Sequence, residues 1–166
     1  MKRKTFLSTS GAGVLGFYLP GSAKPTSSSN DPLDTEVVKE FVGAGHNNLP
    51  RVKEMLAEYP NLIYSRYDWG NGDFEEAIEG AGHVGDREIA EYLISQGARV
   101  NLFVLTMLGE TALVKPVLEK YPQLIQAKGA HGFTLLHHAI RGGAPAAELH
   151  AYFLEKGLTE TRIPII

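Results

Sequence analysis

The sequence predicts an all-α chain built as about four stacked helix–turn–helix units. Three observations predict it. First, the pattern apolar-x-x-apolar-apolar occurs four times, beginning at Val52, Ile89, Val114 and Leu149. Each copy meets a helix breaker at the same offset, at Pro60, Gly97, Pro122 and Gly157. Second, Gly43-Ala44-Gly45-His46 recurs 37 residues on as Gly80-Ala81-Gly82-His83. Third, no segment shows a sustained strand alternation, so strands are confined to short hairpins at the turn tips. One helix pair cannot bury its apolar face alone, so the copies are expected to pack side by side.

Taken in order, residues 1–23 read as an export signal. Lys2, Arg3 and Lys4 precede an uncharged apolar run, and Pro20-Gly21-Ser22-Ala23 offers small residues for cleavage. The run is shorter than a membrane-spanning helix needs. Arg3-Lys4-Thr5-Phe6-Leu7 is similar to a twin-arginine export motif, with Lys4 in the second arginine position. Residues 24–31 read as a Pro/Ser/Thr linker. Residues 32–158 form the repeat domain and 159–166 a C-terminal tail. The protein is therefore expected to be periplasmic or secreted.

Within the repeat domain the inner helices are expected over 32–45, 74–83, 102–108 and 134–141. Asp31-Pro32 supplies a start signal for the first. The outer helices are expected over 50–59, 86–96, 112–121 and 145–156, with apolar residues at i, i+3 and i+4. Pro116 lies inside the third of these and predicts a late start or a bend. The copies are spaced by 37, 25 and 35 residues, so the third unit is truncated. Gly-rich turns at 67–73 and 128–132 separate the units. Glycines 43, 45, 80 and 82 read as small residues that let inner helices approach their neighbours.

Two segments carry a family resemblance. Gly132-Phe133-Thr134-Leu135-Leu136-His137-His138-Ala139 resembles the opening of an ankyrin repeat, with Leu135 where that family has Pro. Residues 85–101, Gly-Asp-Arg-Glu-Ile-Ala-Glu-Tyr-Leu-Ile-Ser-Gln-Gly-Ala-Arg-Val-Asn, resemble the family's outer helix and exit turn. The resemblance covers about Asp34 to Gly157. It implies an ankyrin-like solenoid whose concave face and finger tips bind other proteins. It also implies that His137 is structural, bonding near Thr134.

Composition narrows the function. A net charge of −3 with scattered Lys and Arg argues against a nucleic-acid or anionic-membrane binder. The absence of cysteine removes disulfides, thiolate metal sites and a cysteine nucleophile. No Gly-x-Ser-x-Gly elbow, His-Glu-x-x-His motif or phosphate loop occurs. The expected function is thus a non-enzymatic, protein-binding scaffold with no cofactor and no metal. Its partner-contacting residues are expected to be Trp69, Asp73, Glu76, His46, His83 and His131. His46 and His83 share one slot in adjacent units and should stack on the inner face, but no third ligand stands at a fixed spacing from them. Trp69 is either an exposed anchor or a cover for the core. The alternative is an exported hydrolase or metal-dependent enzyme using Asp73, Glu76 and His83.

Overall fold

The computed structural model describes residues 31–165. The expected export signal and most of the linker therefore lie outside the described residues. The described chain is mostly helical. The described residues hold eight α-helices: α1 (Thr35–Ala44), α2 (Leu49–Glu58), α3 (Ala77–Val84), α4 (Arg87–Ser95), α5 (Leu102–Leu108), α6 (Thr111–Lys120), α7 (Leu135–Gly142) and α8 (Ala147–Glu155). Among the described residues no helix is long and apolar enough to cross a membrane.

The helix starts follow from side chains that satisfy free backbone N–H groups. Asp34 accepts from Glu36, Asn48 from Arg51, Asp86 from Ile89, Asn101 from Phe103 and Val104, and Thr134 from His137. The first helix therefore starts after Asp34, not after Asp31. The expected late start at Pro116 does not occur. Helix α6 runs unbroken from Thr111 to Lys120 with Pro116 inside it. Pro116 is exposed, so water can take the carbonyl that its missing N–H leaves free.

Helices α2, α4, α6 and α8 each pack on the helix before them, and α1, α3, α5 and α7 touch in sequence order. The apolar stripes meet in two clusters. Phe41, Val42, Val52, Ile89, Leu93 and Met107 anchor the first. Val114, Leu118, Leu135, Leu149 and Phe153 anchor the second. Glycine does permit the close approaches. A Cβ on Gly45 would collide with the Ala77 carbonyl, and one on Gly80 would stand 2.8 Å from the His46 ring. Gly43 has open space around it and plays no such part.

The connections position the site. Between α2 and α3 the chain makes a 3₁₀ turn and a two-stranded finger, β1 (Tyr67–Asp68) antiparallel to β2 (Phe74–Glu75). Between α4 and α5 only residues 96–101 intervene, and no finger forms. This is the truncated unit. Helix α3 consequently touches α7 as well as α5. The His83 carbonyl accepts hydrogen bonds from the His137 ring (2.8 Å) and from Arg141 Nε (3.2 Å). The turn before α7, Ala130–Gly132, is thereby brought against the finger before α3.

Candidate metal centre

Four side chains converge where the finger, the inner helices and this turn meet. His46 follows the end of α1, Glu75 lies on β2, His83 sits in the last turn of α3, and His131 lies in the turn before α7. One donor atom from each falls within 4.8 Å of all the others. Glu75 Oε1 stands 2.8 Å from His83 Nε2 and 3.5 Å from His46 Nε2. Glu75 Oε2 stands 3.5 Å from His131 Nε2. The Glu75 side chain is 0% exposed and that of His83 8%, whereas His46 and His131 each keep 23%.

The outer hydrogen bonds orient three of the four groups. His46 Nδ1 lies 3.2 Å from the carbonyls of Val42 and Gly43. Carbonyls only accept, so Nδ1 carries the proton and Nε2 turns a lone pair toward Glu75. His131 Nδ1 lies 2.8 Å from Asp73 Oδ2, a carboxylate, so its Nε2 is likewise the acceptor edge. The Trp69 indole N–H donates to Glu75 Oε2 at 2.7 Å. Burial raises the Asp73 carboxyl, but the hydrogen bonds from the His131 N–H and ring, helped by the charge of Arg162, outweigh it and hold Asp73 below the usual carboxylate range.

Two imidazole lone pairs thus face the oxygens of a fully buried carboxylate across 3.5 Å gaps. Facing lone-pair acceptors repel unless a cation or added protons lie between them. The two 3.5 Å separations suit a cation, while the 2.8 Å contact of His83 Nε2 with Glu75 Oε1 is a hydrogen bond that an ion would replace, taking the place of its proton. Metal–ligand bonds of about 2.1 Å place the donors of a tetrahedral ion roughly 3.4 Å apart. The set is three imidazole nitrogens and one carboxylate oxygen, which suits first-row divalent ions. Asp73, Trp69 and the Val42 and Gly43 carbonyls form the outer layer that such ligands ordinarily have.

Of the six residues expected to form a working surface, five gather here: His46, His83, His131, Asp73 and Trp69. His46 and His83 do lie side by side, their rings meeting edge to face with centroids 4.8 Å apart and planes at 72°. Trp69 is both exposed and tied inward. It keeps 39% of its surface open while its N–H reaches Glu75. Glu76 does not join. It stands at the N-cap of α3 and faces Arg66 (3.5 Å) and Arg99 (4.0 Å). Burial, then the charge of Glu79, raises the Glu76 carboxyl.

Glu75 takes its place. The inner helix expected over 74–83 begins only at Ala77, because Phe74 and Glu75 pair in β2. Strand alternation turns Phe74 outward and Glu75 inward. Glu79 accepts instead from the Glu76 N–H (2.7 Å) and from Asn101 Nδ2 (2.7 Å). His137 bonds the His83 carbonyl with its ring and gives only its backbone N–H to Thr134. No protein-family model, curated protein or solved structure matches the chain.

Proposed function

We propose that this is an exported, ankyrin-type repeat protein that holds one first-row divalent metal ion through His46, Glu75, His83 and His131. The observation that carries this is the pair of lone-pair edges, His46 Nε2 and His131 Nε2, each aimed at an oxygen of the buried Glu75 carboxylate. The ankyrin-type stack is supported by the sequential packing of α1, α3, α5 and α7 and by the two motif segments. The basic start and uncharged apolar run within residues 1–23 support reading them as an export leader, and with it a periplasmic or secreted location.

The partial exposure of His46 and His131 leaves the ion reachable from solvent. Four protein donors close a tetrahedral zinc site, whereas a five- or six-coordinate ion retains positions for an outside ligand. The bound ion would act as a Lewis acid toward that ligand. This chain supplies the positioning: Asp73 fixes the His131 ring, Trp69 fixes Glu75, and the α1 end fixes His46.

Full-length protein bearing no histidine tag should contain about one equivalent of metal by elemental mass spectrometry. Glu75→Gln and His83→Ala variants should lose it. Recovery of folded wild-type chain that neither carries nor takes up zinc, manganese, iron, cobalt, nickel or copper would overturn the proposal.

A second reading, a protein-binding scaffold without nucleic-acid or membrane partners, is favoured by the finger itself. It exposes Phe74 as well as Trp69. The two readings are compatible, because the partner would meet the same finger that covers the ion.

A further inference from the structure

We infer that residues 159–165 are a strap that sets the metal affinity of this centre by holding His131 in place. This rests on the metal reading above and extends it to a segment that contributes no ligand. The strap leaves the end of α8 and runs back against residues 128–134. Arg162 bridges Phe133 in antiparallel fashion. The Ile163 N–H donates to the Gly132 carbonyl (2.8 Å), and the Thr134 N–H donates to the Thr161 carbonyl (3.1 Å). Thr134 Oγ1 donates to the Glu160 carbonyl (2.7 Å), and Lys128 Nζ to that of Pro164 (3.0 Å).

The contact that matters most is with the ligand residue. Arg162 Nε donates to the backbone carbonyl of His131 at 2.8 Å. His131 has φ +57°, a left-handed conformation that a non-glycine residue enters at some cost. Gly132 follows it with φ +76°, and a Cβ there would collide with the Ile163 carbonyl. So the turn takes two left-handed residues in succession, and the strap bonds the carbonyls of both. Asp73 holds His131 from the other side, through its N–H and its ring. The ligand is therefore clamped between the finger and the strap.

The Arg162 guanidinium also lies over the Phe133 ring at 5.4 Å, and Phe133 lies 5.0 Å from the His83 ring. One strap residue thus bears on two ligand residues, the first through a carbonyl and the second through an aromatic ring. Loss of such outer contacts typically costs about 10- to 100-fold in metal affinity. Because coupling is reciprocal, a bound ion must tighten the strap by the same factor that the strap tightens the ion.

The test uses the full-length chain, the Arg162→Ala variant and a chain ending at Leu158, each titrated with zinc alone and with manganese alone. Arg162→Ala should weaken binding about tenfold, and the shortened chain about 100-fold. Arg162→Lys should recover part of the loss. Hydrogen exchange supplies a readout that a merely structural tail would not move. Metal should slow exchange at the Ile163 and Thr134 amides of the full-length chain. Wild-type affinity in the shortened chain, or metal-independent exchange at those two amides, would overturn the strap while leaving the metal centre standing. A full-length chain that takes up none of zinc, manganese, iron, cobalt, nickel or copper would overturn both.

Discussion

His131 gives Asp73 two hydrogen bonds, one from its backbone N–H and one from ring Nδ1, each 2.8 Å long and each crossing 58 residues of sequence. A bidentate contact of this kind fixes both where the residue sits and which ring nitrogen is free. Asp73→Ala should therefore lower metal affinity about 10- to 100-fold. Asp73→Asn retains one acceptor but turns an NH₂ group toward the other donor, so it should also fall short of wild type. Competition with a chelating dye measures both. Unchanged affinity in the alanine variant would show that Asp73 does not position a ligand.

Gly80 separates metal binding from stability. Its position in α3 faces the His46 ring, and a Cβ there would stand 2.8 Å from His46 Nδ1. That atom makes the hydrogen bonds that orient the ring. The ring can swing away, so the substitution need not disturb the helix. Gly80→Ala should gain up to about 1 kcal/mol of helix propensity, partly offset by the displaced ring. It should bind metal at least tenfold more weakly. Urea unfolding without metal and a metal titration, run side by side, would reveal the split. A parallel loss of both would mean that His46 is chiefly a packing residue.

The helices were legible because their signals are local. Val52, Met55 and Leu56 mark a buried stripe within one turn, and Asp86, Asn101 and Thr134 mark helix starts within three residues. The nearness of His46 to His83 was legible too, since the two follow the same Gly-Ala-Gly triplet 37 residues apart. Glu75 was not. A strand of two residues is too short for alternation to show, and the acidic run Glu75-Glu76 reads equally well as a helix start. His131 was named, but its role was hidden, because it depends on the absent third finger and on a strap 31 residues away at Arg162. Long-range geometry of that kind leaves no periodic trace.

Trp69 offers a direct optical reading of the centre. It is the chain's one tryptophan, and its indole N–H is bonded to Glu75 Oε2. A cation drawing on Glu75 changes the field along that bond, so tryptophan emission should change with a one-to-one stoichiometry. Glu75→Gln should abolish the response. Metal at 100 times its dissociation constant should also stabilise the wild-type fold by about 2.7 kcal/mol. The same melt on Glu75→Gln should show no rise. A metal-dependent rise that survived in the variant would place the ion elsewhere.

His138 sets an acid limit on the fold that is separate from the metal. It is buried, and burial above all lowers its pKa to about 3, assisted by the nearby His137 and His83 rings and opposed by its hydrogen bond to the Thr134 carbonyl. The unfolded chain binds a proton at this residue near its ordinary value of 6.5, while the folded chain refuses it. Between those two values the unfolded state holds more protons, so stability rises with pH there. The contribution is complete above about pH 6.5, falls by roughly 1 kcal/mol for each unit of acidification, and is gone below about 3. His137 is shifted the same way, chiefly by burial, and adds to the slope. Urea midpoints taken between pH 7 and pH 4.5 in the presence of a chelator should fall steadily for wild type. His138→Gln should start lower at pH 7, having lost a fitted ring against Phe103, and then fall less steeply. Equal slopes for the two chains would show that His138 does not set the acid sensitivity.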